Sequence, residues 1–159
     1  QEHQPTTRAE HPCGLGEPFF NSFESVLSQL IFSIPAVKGI EFGAGFSSAR
    51  MRGSENNDLI VSPDGKTASN NSGGINGGIT NGNEVVFRVA VKPTPSISKP
   101  QNTLNLSSGL PETLEIRGRH DACIALRTPV VFEACAAIVA ADMYLINKAN
   151  FEMEHTYET

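Results

Sequence analysis

The chain has 159 residues, 39% of them hydrophobic and 18% charged, with a formal net charge of −5. That length suits one domain or a piece of a larger protein, and an acidic balance with no basic stripe argues against a nucleic-acid partner. Its longest apolar run, Val130 to Ile146, is broken by Glu133 and Asp142, so no membrane span is expected.

Residues 1–18 are polar and proline-rich and read as an irregular arm or linker. The opening, "QEHQPTTRAEHPCGLGEP", reads as a start in the middle of a longer protein. The domain itself is expected over 19–150, with a tail at 151–159. Phe23, Val26, Leu27, Leu30, Ile31 and Ile34 fall on one face of an amphipathic helix. Asn21 is the expected cap, Glu24 its capping-box partner, and Pro35 the stop. "AVKGIEF" reads as a short strand and "GAGFSSARMRG" as a glycine-rich turn leading into weak helix or coil.

Residues 53–73 carry too little apolar surface for a core, and a mobile loop is expected there. After "GGINGGITNG" comes the clearest strand, "EVVFRVAVKP". Val85, Phe87, Val89 and Val91 alternate onto one face, and Arg88 and Lys92 share the other. A polar stretch from Ser96 to Gly109 leads to a short strand, "ETLEIR". Thr128 and Pro129 suit the N-cap and first position of a helix running to about Asn147. Glu133 and Asp142 point to opposite sides of it, so a helix apolar nearly all round should be enclosed on several sides. The expected class is α+β, an antiparallel sheet packed on long helices.

Three segments carry candidate chemistry. The glycine-rich decapeptide from Gly73 to Gly82 allows positive φ and close backbone approach to a phosphate or ring edge. It fits neither dinucleotide nor Walker patterns, and a plain hairpin connection is an equal alternative. "KPTPS", Lys92 to Ser96, ends a strand with a cation, a rigid turn and hydroxyls, which suits an anionic ligand; a solvated lysine beside a proline-terminated strand is the plainer reading. In "RGRHDAC", Arg117 to Cys123, Asp121 could accept a proton and Arg119 could hold an anion near a helix N-terminus. Local arginine–aspartate pairing competes with that. His3, His11 and His155 lie in tail regions and read as solvated. Cys13, Cys123 and Cys135 have no metal-binding spacing, so they read as reduced thiols of a cytoplasmic protein with no metal site. The Asn70 and Asn105 N-x-S triplets are taken as chance.

Taken in order, "GLGEPFF", "SIPAVKGIEFGAGF", "RGSENND", "NNSGGINGGITNGNEVVFRVAVKPTPSI" and "GRHDACIALRTPVVFEACAAIVAADM" resemble chorismate synthase from Gly14 to about Lys148. Departures are small: Ala122 stands where proline is usual, Pro129 comes one place early, and Pro35 replaces a frequent asparagine. Family members are much longer, and the resemblance is to their C-terminal half. The other half carries two catalytic histidines, one in a Ser-His-Gly motif, and an arginine-rich substrate region.

The resemblance implies about one half of a sandwich of helices between antiparallel sheets, in a homotetramer. It implies the conversion of 5-enolpyruvylshikimate 3-phosphate, a small anionic substrate, to chorismate by 1,4-anti elimination in the shikimate pathway of aromatic amino acid biosynthesis. Reduced FMN is the implied cofactor, with NADP as an associated nucleotide. On the matching positions the implied flavin contacts are Pro35, Ala36, Gly77, Lys92, Pro93, Thr94, Pro95, Ser96 and Arg119, and Asp121 is the implied acid/base. Three readings stay open: the cofactor-binding portion of such an enzyme, a truncated and inactive flavin-binding or oligomerisation module, and a small α+β domain for another anion.

Overall fold

The computed structural model describes residues 6–9, 12–119 and 123–156. In chain order the elements are β1 (Thr6–Ala9), α1 (Phe23–Phe32), β2 (Val37–Phe42), α2 (Gly53–Asn56), β3 (Ile75–Asn76), β4 (Ile79–Thr80), β5 (Val85–Val91), β6 (Gln101–Leu104), β7 (Pro111–Leu114) and α3 (Pro129–Thr156), with single 3₁₀ turns between some of them. An antiparallel sheet of order β1–β5–β2 carries α1 and α3 on one face, which is the expected α+β class. β3–β4 and β6–β7 form two small hairpins.

The core follows from two periodicities. β5 turns Val85, Phe87 and Val89 inward, each 1% exposed, while Arg88 faces the other side. α1 buries Phe23, Leu27 and Ile31, four residues apart, and α3 buries Phe132, Cys135, Ala136, Val139 and Met143. These side chains make one continuous cluster between helices and sheet.

The cap of α1 lies one residue after the one expected for it. Ser22 Oγ accepts from the Ser25 amide at 3.0 Å, whereas Asn21 donates its side-chain amide to Glu17 Oε2 at 3.1 Å. The N3 position is therefore Ser25, and Glu24 belongs to no capping box. The helix stops at Phe32, where Ser33 Oγ donates to the Leu30 carbonyl at 2.6 Å, and Pro35 follows only after this close.

Four expectations are corrected. Within the stretch read as an irregular arm, Thr6–Ala9 form an edge strand on β5, and Leu15 is a core residue stitched to Thr80. The Leu15 amide donates to Thr80 Oγ1 at 2.9 Å, and the Thr80 amide donates back to the Leu15 carbonyl at 2.9 Å. The free edge of β5, rather than any alternation within "TTRA", makes that strand. The 53–73 loop is built around a carboxylate instead of lacking structure. Asp58 accepts from Ser69 Oγ at 2.7 Å and from the Asn71 and Ser72 amides, each at 2.8 Å, and Ile60 bridges Thr67.

The expected strand near 112–117 spans Pro111–Leu114, and its partner β6 lies within the polar stretch from Ser96 to Gly109. Finally, α3 runs past residue 150 to Thr156 and is enclosed on one side only. Val130, Ile138 and Leu145 are 67%, 61% and 63% exposed, because α1 and one sheet cover a single face. Thr128 precedes α3 as expected, but its hydroxyl donates back to the Ala125 carbonyl at 2.9 Å. By length and composition alone Pro129–Asn150 could cross a membrane; its inner face is nonetheless a seat of the core.

Candidate cofactor-binding corner

The chain leaves α1 through Ser33, Ile34 and Pro35 and reverses at Ala36, which has φ 73. That left-handed conformation is usual for glycine after a helix and costs an alanine about 1–2 kcal/mol. The reversal aims the Ala36 carbonyl across the sheet, where it accepts from the Lys92 amide at 2.8 Å. The start of β2 is thereby tied to the end of β5, where Val37 faces Val91.

Past this tie the "KPTPS" segment turns out of the sheet, with Pro93 and Pro95 fixing φ on either side of Thr94. Lys92 is exposed, Thr94 and Ser96 are half-buried, and Pro35 is exposed beside them in sequence on Ala36. Thr94 Oγ1 is buried with no hydrogen-bond partner; Asn56 Oδ1 is the other such atom among the described residues. A buried hydroxyl left unpaired costs roughly 1–3 kcal/mol, so Thr94 is suited to a ligand that supplies the missing bond.

The two cations expected on one face of β5 do different work. Arg88 is committed to the fold: its Nε donates to Glu41 Oε1 at 2.7 Å, and its other nitrogen reaches the Gly43 carbonyl at 3.1 Å. The Phe46 amide and then Arg88 hold the Glu41 carboxyl below its usual range. Lys92 has no ion-pair partner among the described residues, so its ammonium is available to an anion. Asp58 is likewise a structural carboxylate. Burial raises its pKa, but amides from Ser72 and Asn71 and the Ser69 hydroxyl outweigh that and lower it.

Gly77 lies elsewhere. It sits at the tip of the β3–β4 hairpin with φ 60, exposed, and a Cβ there would meet nothing within 4 Å. The adjoining Gly78 carbonyl accepts from the Phe23 amide at 2.8 Å, which seats the hairpin on the N-terminal end of α1. Ala36 and Lys92 are at the other end, and ten helical residues separate them by about 15 Å. The structure thus ties Ala36 to Lys92 by one backbone hydrogen bond, with Pro35 and residues 93–96 as their chain neighbours, and leaves Gly77 apart.

Arg119 is exposed, and no hydrogen bond or ion pair links it to the corner among the described residues. Asp121 lies outside the described residues, as do His3 and His11, and His155 is in the last turn of α3. The left-handed Ala36 and the unpaired Thr94 hydroxyl are features that no residue pattern announces.

The chain matches the family profile of chorismate synthase over residues 6–145. It is 61% identical over 137 residues to a chorismate synthase of Chitinophaga pinensis, an alignment covering 86% of this chain and 41% of the relative. A chorismate synthase of Archaeoglobus fulgidus is 52% identical over 137 residues, covering 85% of this chain and 38% of the relative. The chain therefore spans well under half the length of the curated relatives it matches. A crystal structure of chorismate synthase superposes with a TM-score of 0.66 at 35% identity, covering 91% of this chain and 38% of that one. The helices packed on small antiparallel sheets correspond to part of that fold's β-α-β sandwich.

Proposed function

The chain belongs to the chorismate synthase family, and we propose that it supplies a reduced-FMN face for 1,4-anti elimination of phosphate from 5-enolpyruvylshikimate 3-phosphate. In that reaction a ring proton is lost, a carbon–carbon double bond forms, and phosphate departs with the electrons of its carbon–oxygen bond. Reduced FMN supplies an electron-rich ring that assists phosphate departure with no net redox change.

The observation that carries this reading is the buried, unpaired Thr94 hydroxyl two residues after the exposed Lys92, whose backbone is tied to Ala36. Lys92 offers positive charge to an anionic ring or phosphate, and Thr94 offers a donor whose desolvation has already been incurred. Pro35, Pro93, Pro95 and Ser96 shape the same corner. Arg119 is assigned to the anion as a second cation, and Asp121 to proton transfer. NADP is kept as the associated nucleotide. Free thiols at Cys13, Cys123 and Cys135 suit a cytoplasmic setting.

Gly77 joins the set most directly across two copies. One ring cannot touch both ends of α1, so a second copy bringing its own hairpin tip to the corner would complete the contact. We take the homotetramer of the family as the assembly that does so. Turnover is expected to need the further residues that the longer relatives carry, so the 159-residue chain should bind flavin and turn over weakly or not at all.

Anaerobic titration of the purified chain with reduced FMN, followed by flavin absorbance, tests the corner. Lys92→Ala should weaken binding tenfold or more, and Thr94→Val several-fold, with circular dichroism unchanged. No binding by the wild-type chain, or equal affinity in all three, would overturn it. Mixing Lys92→Ala with Gly77→Val chains should regain part of the affinity if the site is shared between copies. A mixture no better than its components removes that arrangement. Chorismate formation, assayed in parallel, separates the enzyme reading from an inactive flavin-binding module.

A further inference from the structure

The sequence contains two asparagine–glycine pairs, Asn76–Gly77 and Asn81–Gly82. Such a pair can rearrange without an enzyme, because a glycine amide, with no Cβ beside it, can reach the preceding side-chain carbonyl carbon. Closing that ring requires the main chain to rotate at both residues. The fold therefore decides which pair is free to react.

Asn76 and Gly77 are both exposed, at the tip of the β3–β4 hairpin. Gly77 is followed by a second left-handed glycine, Gly78 with φ 86, so the chain beyond Asn76 is free to turn. Among the described residues the Gly77 amide donates to no acceptor. The Asn76 side chain is gripped at both of its polar atoms. Asn81 Nδ2 donates to Asn76 Oδ1 at 2.6 Å, and Asn76 Nδ2 donates to Ser72 Oγ at 3.3 Å. The first bond polarises the carbonyl and meets the oxygen on which negative charge would develop. The second sets a hydroxyl beside the nitrogen that would leave. Asn81 is restrained by contrast. Its amide donates to the Gly74 carbonyl at 2.9 Å, and its Oδ1 accepts from the Asn83 amide at 2.9 Å and from Asn83 Nδ2 at 3.1 Å. Main chain is thus tied on both sides of Gly82, which is itself half-buried.

We infer that Asn76 is a site of spontaneous deamidation and isoaspartate formation, set apart from Asn81 by the hairpin. The Gly77 nitrogen gives its proton to hydroxide and bonds to Asn76 Cγ. The Cγ–Nδ2 bond breaks, and the nitrogen leaves as ammonia with a proton from water. Water then opens the cyclic imide at one of its two carbonyls. Opening at Cγ leaves aspartate; opening at the main-chain carbonyl leaves isoaspartate, with the chain running through Cγ. One water is consumed and one ammonia released, with no oxidation or reduction. The product places a carboxylate directly before Gly77. Isoaspartate also adds a main-chain carbon to a hairpin that is seated on α1 through the Gly78 carbonyl and the Phe23 amide. The inference is independent of flavin binding.

Incubation of the 159-residue chain in warm, mildly alkaline heavy-oxygen water tests it, read by peptide mass mapping and by labelling with an isoaspartate methyltransferase. In the folded chain Asn76 should convert at least tenfold faster than Asn81, and faster still as pH rises. In urea the hairpin is gone and both asparagines precede glycine, so their rates should become comparable. Gly77→Ala should slow conversion at Asn76 at least tenfold by shielding the attacking nitrogen. Asn81→Ala removes the donor to Asn76 Oδ1 and should slow it several-fold, with circular dichroism unchanged. Equal rates at the two sites in the folded chain, faster conversion at Asn81, or an unchanged rate at Asn76 in both variants would overturn the proposal. So would an equal preference for Asn76 in urea, which would make local sequence and not the hairpin its cause.

Discussion

α1 and α3 are both helices with apolar residues at helical spacing, and they stand in different relations to the core. α1 buries Phe23, Leu27 and Ile31 and turns its polar residues outward, so one stripe meets one core. α3 has an inner stripe centred on Phe132, Ala136 and Val139, and an outer one with Val130, Ile138 and Leu145 that this chain leaves open. The difference shows what periodicity reports. It gives the number of faces a helix can cover, while the chain at hand decides how many are covered.

Substitutions can break that comparison. Phe132→Ala should cost about 3–5 kcal/mol in urea unfolding, because it empties a fully buried site on α3's inner stripe. Leu27→Ala should cost about 2–5 kcal/mol on α1 for the same reason. If Phe132→Ala proved near neutral, α3 would be a loosely docked helix and no part of the common core. Ser22→Ala, which removes the cap of α1, should lower the midpoint by an amount equivalent to about 1 kcal/mol. Ile138→Ala should change stability by no more than about 0.5 kcal/mol, since its side chain is largely in water. A loss matching that of Leu27→Ala would mean that the outer stripe is covered in solution.

How much of this was legible in the residues depends on the force that orders each segment. α1 and β5 are ordered by apolar burial, and their 3.6- and 2-residue periods were visible as such. The cap of α1 was misread by one residue because Asn21 and Ser22 offer equivalent acceptors, and only the turn at Phe19 decides between them. β1 and β6 have no signal of their own; "TTRA" and "QNTL" become strands because β5 and β7 present unpaired edges. The 53–73 loop was read as mobile because counting apolar residues is blind to one aspartate that gathers three donors.

The candidate corner divides in the same way. That Lys92, with its hydroxyl-bearing neighbours, could face an anion was readable from residue types. That Arg88 could not was hidden until Glu41 came beside it. Pattern could not show Gly77 and Ala36 at opposite ends of α1, because their separation is a product of the hairpin docking on Phe23.

The pairing of β1 with β5 has a consequence for synthesis. Thr6 finds Arg88 only across roughly eighty residues of intervening chain, so this edge closes late and against a large loop-closure entropy. β1 is synthesised before β5 and has no partner until β5 follows, while α1 and β2 can already collapse together. Slow maturation would then reside at the β1–β5 edge rather than at the local pairing of α1 with β2.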